Sequence, residues 1–207
     1  MNNCFKLHRR LSSLIPLPPM SVEKFDLRVG LITAVSKHPN ADSLFVETID
    51  LAEPTGPRQV LSGLVKHLRE EDLLQQRVLV CCNLKPAKMR GMDSYGMLLC
   101  AVKPVGEAQA QTQPAQEAAD EIVRLVKPPA DAPVGERVSF EADSFPFDPS
   151  TAPAAIDGRK GDAQLFQAVF GSGKFRTDAE GVACFEGKKM MTSTGPCRSE
   201  LCEANIQ

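Results

Sequence analysis

The stretch of residues 83–97, called here the basic run, brings three cations together with amide, hydroxyl and thioether side chains. Cations meet phosphates, hydroxyl and amide groups donate hydrogen bonds, and methionine offers soft apolar surface to a base or a ribose. The basic run therefore predicts a loop that holds a folded polyanion, although a solvated turn marked by Pro86 and Gly91 explains the run alone equally well. The side chains concerned are Asn83, Lys85, Lys88, Met89, Arg90, Met92, Ser94 and Met97.

Two apolar segments that flank the basic run, 77–83 and 94–102, predict strands that would position it. Further strands are predicted over 27–36, 44–51 and 58–62, and a short helix over 68–76. Five short strands with a helix before the fourth describe an oligonucleotide-binding (OB) β-barrel, but this pattern alone also permits a β-sandwich.

Four ordered segments resemble the tRNA-binding domain of the endothelial-monocyte-activating polypeptide II family, which also occurs in some tyrosyl- and methionyl-tRNA synthetases and in synthetase cofactors. They are Leu27-Arg28-Val29-Gly30-Leu31-Ile32, His38-Pro39-Asn40-Ala41-Asp42-Ser43-Leu44, Val60-Leu61-Ser62-Gly63-Leu64 and the basic run. The similarity continues to the C-terminus through Leu165-Phe166-Gln167, residues 177–187 and Met190-Met191-Thr192-Ser193.

The resemblance implies a mainly β fold, a five-stranded OB-fold barrel with a C-terminal appended α+β subdomain. In bacterial relatives without this tail the barrel pairs with a second copy of itself. The tail here is expected to cover the same surface, which gives a pseudo-dimer in one chain and a monomer in solution.

The chain divides into three predicted parts. Residues 1–20 carry Lys6, Arg9 and Arg10 without an acid, which fits a short organellar transit peptide. A disordered extension, or translation from Met20, explains this segment at least as well, so a cytoplasmic protein is expected with mitochondrial import as the alternative. Residues 21–142 form the predicted OB-fold domain, with a low-complexity insertion near 104–121, and residues 143–207 form the appended subdomain.

Charge is distributed unevenly along the chain. The net charge is −2, but residues 1–103 hold 14 Lys and Arg against 10 Asp and Glu, whereas residues 104–207 hold 10 against 16. Affinity for phosphates must therefore come from a local face in the first half rather than from the field of the whole molecule.

The seven cysteines have no C-x-x-C pair and no regular spacing, which indicates a reducing compartment. Cys81, Cys82 and Cys100 lie in apolar runs, where a thiol usually behaves as a small core residue. No apolar run approaches the length of a membrane span, so we expect a soluble protein without membrane contact.

The resemblance carries the family's tRNA-binding role onto a set of matching positions. Arg28 alternates with apolar neighbours and could reach a phosphate, or it could be an ordinary solvent-facing arginine, and the charge of Lys66 is partly offset by nearby acids. The predicted tRNA-binding residues are Arg28, Lys37, Ser62, Lys66, Asn83, Lys85, Lys88, Met89, Arg90, Ser94 and Met97.

No catalytic motif accompanies these positions. There is no H-E-x-x-H, the three histidines lack ligand spacing, and the synthetase signatures of an ATP site are absent, so no metal, cofactor or catalytic residue is predicted. The leading hypothesis is a non-catalytic, largely sequence-independent tRNA-binding protein that delivers tRNA to an aminoacyl-tRNA synthetase or a multi-synthetase complex. The alternatives are a released cytokine-like polypeptide, for which 28–33 resembles the active stretch, and an interaction scaffold that has lost RNA binding.

Overall fold

The computed structural model describes residues 22–105, 120–141, 153–157 and 162–207. The N-terminal extension and most of the predicted insertion lie outside the described residues. The described residues are mainly β, with a one-turn 3-10 helix at Val22–Lys24 and two α-helices, α1 at Glu70–Leu73 and α2 at Ala163–Phe170. The strands of the first half are β1 Leu27–His38, β2 Ala41–Asp50, β3 Arg58–Ser62, β4 Arg77–Cys81, β5 Ala87–Met89, β6 Met92–Ser94, β7 Met97–Leu98, β8 Cys100–Pro104 and β9 Glu121–Leu125. The strands of the second half are β10 Ser139–Phe140, β11 Phe175–Thr177, β12 Ala183–Phe185, β13 Lys188–Thr192, β14 Gly195–Pro196 and β15 Asn205–Ile206.

A five-stranded sheet in the order β3-β2-β1-β4-β7 forms the first half. All of its pairs are antiparallel, and Lys37, Phe45 and Ser62 lie in one row across β1, β2 and β3. The sheet curls until its two edges approach each other. A hydrogen bond of 2.9 Å shows this approach, from the Tyr95 amide, two residues before β7, to the Gln59 carbonyl of β3. The sheet is therefore a curled half-barrel.

Strand β4 is apolar and buried after its first residue, Arg77, because both faces of the sheet are covered. Val78 and Val80 point into the curl, whereas Leu79 and Cys81 point to the opposite face. That opposite face carries the second half of the chain, including Phe170 of α2. Alternate residues of one strand thus serve two cores, which explains a continuous hydrophobic run where a half-exposed strand would alternate.

An eight-stranded sheet joins the two halves, in the order β10-β13-β12-β11-β15-β8-β9 with β14 paired to β13. The C-terminal strand β15 pairs with β8, and Cys100 and Gln207 exchange backbone hydrogen bonds of 2.8 and 3.0 Å. This sheet crosses the predicted boundary at 142/143, so the two predicted parts share backbone pairing as well as a core.

The predicted strand over 58–62 and the start of the predicted strand at residue 77 are confirmed, but the predicted helix over 68–76 is shorter. Only Glu70–Leu73 is helical, because Arg69 and Leu74 are extended and Gln75 has a φ of 61°. Neither helix in the described ranges is long and apolar enough to cross a bilayer.

Candidate nucleic-acid interface

The basic run folds into a two-stranded hairpin, β5 with β6, called here the basic hairpin (residues 87–94). Its turn is Arg90-Gly91, with φ values of 49° and 100°. Positive φ at both central residues is the geometry of a type I′ turn, whose twist suits two antiparallel strands and which favours glycine. The predicted bend at Gly91 is confirmed, while the strand pairing on either side of it goes beyond the predicted loop.

The two faces of the basic hairpin differ chemically. Ala87 and Met89 are half-buried and line a cleft beside the hairpin. Lys88 is exposed and lies opposite Asp93. Since residues opposite each other in antiparallel strands point to the same face, Lys88 and Asp93 share the outer face. The hairpin is therefore apolar inside and charged outside.

The cations of the basic run have different partners. Lys88 and Arg90 are exposed and make no ion pair or side-chain hydrogen bond with the described residues. Lys85 is 3.3 Å from a carboxylate oxygen of Asp157, and both side chains are partly exposed. Asp93 offsets part of the Lys88 charge by its position across the hairpin. The two cations at and beside the turn are thus the ones presented to solvent.

The predicted polar residues around the hairpin are engaged inside the fold. Asn83 is buried, and its amide accepts from the Asp26 N–H at 2.9 Å and donates to the Lys24 and Ala154 carbonyls at 2.8 and 3.0 Å. Ser94 Oγ accepts from the Leu61 N–H at 3.0 Å. These bonds tie the start of the basic run to the segment just before β1, and tie the end of the basic hairpin to β3.

Ser62 is also buried, at the end of β3, and its hydroxyl donates to the Glu47 carboxylate. The second predicted methionine, Met97, is half-buried and lines the same cleft as Met89.

Arg28 belongs to a group of paired charges at the start of β1, called here the arginine cluster (Asp26, Arg28, Glu53, Arg58 and Arg137). Arg28 pairs with Asp26 at 2.7 Å and with Glu53 at 3.5 Å, Arg58 pairs with Glu53 at 2.6 Å, and Arg137 pairs with Asp26 at 3.4 Å. Hydrogen bonding to Asp26 raises the pKa of Arg28, whereas burial lowers the pKa of Arg137. The side chain of Arg28 is only 23% exposed, and its guanidinium group already donates hydrogen bonds to Asp26 within the protein.

Lys37 and Lys66 lie apart from the arginine cluster. Lys37 is exposed near the other end of β1, about 30 Å from Arg28 along the strand at the usual rise per residue. Lys66 is exposed four residues beyond Ser62. Arg28 and Lys37 therefore do not belong to one compact patch.

Two residues that the sequence patterns did not single out belong to this region. Tyr95 follows the basic hairpin and its side chain is 45% exposed, which is unusual for a large apolar residue in the described parts of the chain. Glu47 of β2 is fully buried, and burial raises its pKa to about 7 although the Ser62 hydroxyl opposes the shift. The single tyrosine of the chain stands next to the basic residues in the sequence, and this could have marked Tyr95. Nothing in the sequence of β2 marks Glu47 as buried.

Other chemistry is not evident in the described residues. They contain no group of three or more His, Cys, Asp or Glu side chains arranged for a metal ion. Cys82 and Cys100 are buried, and loss of hydration raises the pKa of each thiol to about 12. Both cysteines are buried core residues, as predicted.

A curled antiparallel sheet with an exposed basic hairpin is the kind of domain that binds nucleic acid, and comparison with known families gives the same class. Residues 27–137 match the family described as "Putative tRNA binding domain", which covers more than half of the chain. The chain belongs to this family.

Individual relatives agree with this assignment. The chain is 36% identical over 183 residues to the aminoacyl tRNA synthase complex-interacting multifunctional protein 1 of Cricetulus griseus, covering 88% of this chain and 44% of that protein. It is 36% identical over 159 residues to the tRNA-aminoacylation cofactor arc1 of Schizosaccharomyces pombe, covering 77% and 30%. The chain thus spans less than half the length of these relatives.

A solved structure, the C-terminal domain of Plasmodium vivax p43, superposes on this chain with a TM-score of 0.72 and 28% identity. The superposition covers 90% of this chain and 99% of that one. The similarity includes residues after 137, where the family match ends.

Proposed function

We propose that this chain binds tRNA through the basic hairpin and delivers it to an aminoacyl-tRNA synthetase or a multi-synthetase complex. The observation that carries the proposal is the exposure of Lys88 and Arg90, without ion pairs or side-chain hydrogen bonds to the described residues, on a paired hairpin of a tRNA-binding-family domain. Relatives named for a synthetase complex and for tRNA aminoacylation support the same role.

Binding of this kind depends on phosphates. Each Lys or Arg that contacts a phosphate releases a counterion, so the affinity falls steeply with salt and carries little base preference. Tyr95, exposed beside the hairpin, supplies one aromatic face on which an unpaired base or ribose can stack. Recognition therefore rests on the shape of a folded RNA rather than on its sequence.

The remaining predicted residues divide by exposure. Lys37 and Lys66 add outlying phosphate contacts, and Lys85 joins when its pair with Asp157 opens. Asn83, Ser62 and Ser94 position the hairpin through their internal hydrogen bonds. Met89 and Met97 supply apolar surface, and Arg28 holds the arginine cluster together.

In this proposed role the protein performs no reaction of its own. It raises the local concentration of tRNA near a synthetase, an effect of tethering that needs no catalytic group. We further propose that the curled sheet is an OB-fold barrel, which the hydrogen bonds between its edges support. The C-terminal part covers the outer face of the sheet in place of a second barrel, as the core shared with α2 suggests.

The test is tRNA binding by the triple variant Lys85→Ala, Lys88→Ala, Arg90→Ala. We expect the affinity at about 0.1 M salt to fall at least tenfold. The slope of log affinity against log salt should become shallower by an amount that corresponds to about two to three phosphate contacts. Filter binding of mixed tRNA across a salt series measures both quantities.

The matched control removes three exposed cations from the second half and from β8, Lys103→Ala, Lys174→Ala and Arg176→Ala. It changes the net charge equally, so it should reduce affinity by less than twofold if the site is local. Equal losses of tRNA affinity in the two triple variants would contradict a binding site at the hairpin. Unchanged affinity in the Lys85, Lys88 and Arg90 variant would rule this site out.

An interaction scaffold without RNA affinity is the second candidate. It is favoured by the excess of acids in residues 104–207 and by the pairing of Arg28, Arg58 and Lys85 with carboxylates. The wild-type titration discriminates the two, because a scaffold binds tRNA no better at low salt than an unrelated protein of the same net charge.

A further inference from the structure

A cleft of about 520 Å³ separates the basic hairpin from helix α2, and no role has yet been assigned to it. The hairpin contributes Ala87 and Met89 to one wall, and Phe166 of α2 contributes to the other. Leu84 and Met97 complete a mostly apolar lining. The size and the apolar lining with a few polar groups are typical of sites that hold a small planar group.

We propose that this cleft receives one unpaired nucleobase of the RNA that the basic hairpin binds, an inference that rests on the proposed function. The half-buried ring of Phe166 and the thioethers of Met89 and Met97 offer surfaces between which a base can stack. Bases of folded RNA that leave the helix stack on aromatic side chains in this way.

Charge complementarity selects a nucleotide over other occupants. The wall that carries Met89 continues into the turn with Arg90, and Lys88 lies on the opposite face of the same strand. A polyanion held by these cations brings its bases to the mouth of the cleft, whereas an apolar peptide gains nothing from them. The occupant and the hairpin site are thus parts of one interface.

The polar groups of the cleft suit the edge of a base. Lys85 and Asp157 both line it, 3.3 Å apart, and present a donor beside an acceptor. The lysine can donate to a ring nitrogen or carbonyl, and the carboxylate can accept from an amine or ring N–H. Every base carries at least one group of each kind, so the cleft discriminates unpaired from paired nucleotides rather than one base from another.

The experiment fills the cleft. Ala87→Phe places a ring into the space from the half-buried position 87, and Ala179→Phe, at an exposed alanine outside the cleft, is the matched control. Two probes are titrated, mixed tRNA and a blunt-ended RNA duplex with no unpaired base. We expect Ala87→Phe to lose about tenfold in affinity for tRNA and less than twofold for the duplex, with Ala179→Phe unchanged for both.

A second measurement uses the wild-type protein, so the proposal stays testable if Ala87→Phe folds poorly. Transcripts of tRNA that contain 4-thiouridine are irradiated on the protein, and the crosslinked peptides are identified by mass spectrometry. Crosslinks to Met89, Met97 or Phe166 support the cleft as the site of a base. Crosslinks confined to the outer face, at Lys88 or Tyr95, overturn it.

The outcomes separate this inference from the proposed function. If tRNA binds and the triple hairpin variant loses it, but Ala87→Phe binds tRNA like the wild type, the hairpin site stands and the cleft proposal fails. A synthetase fragment that binds the wild-type protein without RNA and loses this binding in Ala87→Phe also overturns the proposal, since the cleft then holds a peptide. If wild-type tRNA binding is absent, the proposed function fails first.

Discussion

The arginine cluster and the basic hairpin are built from the same residue types but use their charges in opposite ways. In the cluster, three arginines share two carboxylates, and Asp26 is almost fully buried. In the hairpin, Lys88 and Arg90 face solvent without a described partner. Paired, partly buried charges hold elements together and respond little to salt, whereas exposed charges respond strongly to salt and are available to phosphates.

The role of a cation in this protein is therefore decided by the carboxylates that the fold brings to it. Arg28 and Arg90 look alike in the sequence, each beside a glycine-containing apolar segment. The fold gives Arg28 two acids, from the approach to β1 and from the loop before β3, and gives Arg90 none among the described residues. Removal of one carboxylate at a time tests this distinction between the arginine cluster and the basic hairpin.

Removal of the Asp26 charge should have the largest effect. Asp26→Asn keeps the shape of the side chain but leaves Arg28 and Arg137 without their shared partner, so we expect the free energy of unfolding to fall by about 3 kcal/mol. Urea denaturation followed by circular dichroism measures the change. Affinity for tRNA, measured where the variant is still folded, should stay within twofold of the wild type.

The matched control is the same substitution in the hairpin, Asp93→Asn. Asp93 faces Lys88 at the surface, so its loss should change the free energy of unfolding by less than about 0.5 kcal/mol. Equal effects of the two substitutions would contradict the distinction between a structural cluster and a binding hairpin.

Glu47 extends the comparison to a buried acid without a cation. Its carboxylate accepts from Ser62, and its second oxygen is buried with no partner in the described structure. Burial raises its pKa from 4.5 to about 7, so the folded protein retains a proton that the unfolded chain has lost between these pH values. The free energy of unfolding should therefore decrease as the pH rises from about 4.5 to about 7, and this residue adds no further change above that range.

Glu47→Gln should remove this dependence. At pH 5 the variant and the wild type should be similar, and at pH 8 the variant should be more stable by about 2 kcal/mol, because the wild type then buries a charge. Chemical denaturation at several pH values checks the prediction, with the exposed Glu121→Gln as control. Parallel curves for Glu47→Gln and the wild type would show that the burial of Glu47 has no energetic consequence.

Much of the fold was predictable because its signals are local. The strand at 58–62 follows the loop marked by Pro54, Gly56 and Pro57, and the turn at Gly91 follows from the backbone freedom of glycine. The resemblance of four ordered segments identified the family. The helix over 68–76 was predicted too long, because the tertiary structure holds Gln75 in a left-handed conformation that residue propensity does not reveal.

The candidate site was less predictable because exposure is a property of the fold. Sequence patterns named Asn83 and Ser94 together with Lys88 and Arg90, yet the amide and hydroxyl groups are used to anchor the hairpin. The cleft beside Met89 could not be foreseen, since its opposite wall comes from Phe166 in a part of the chain 77 residues away. Long-range contacts of this kind leave no spacing signal in a single sequence.

The smallest predicted effect concerns Lys85, which stands between the two regions because it is exposed yet paired. Asp157→Asn removes the carboxylate 3.3 Å from its ammonium group and frees it for a phosphate, so tRNA affinity at low salt should rise about two- to threefold. Filter binding at two salt concentrations measures the gain, which should shrink as salt rises. The control is Glu186→Gln, which frees Lys174 from a similar exposed pair of 2.6 Å in the second half and should leave affinity unchanged. The amide of the variant keeps an oxygen that can accept from a base N–H in the cleft, so a loss of affinity in Asp157→Asn would contradict the release of Lys85 and would indicate that base recognition there needs the charge of the carboxylate.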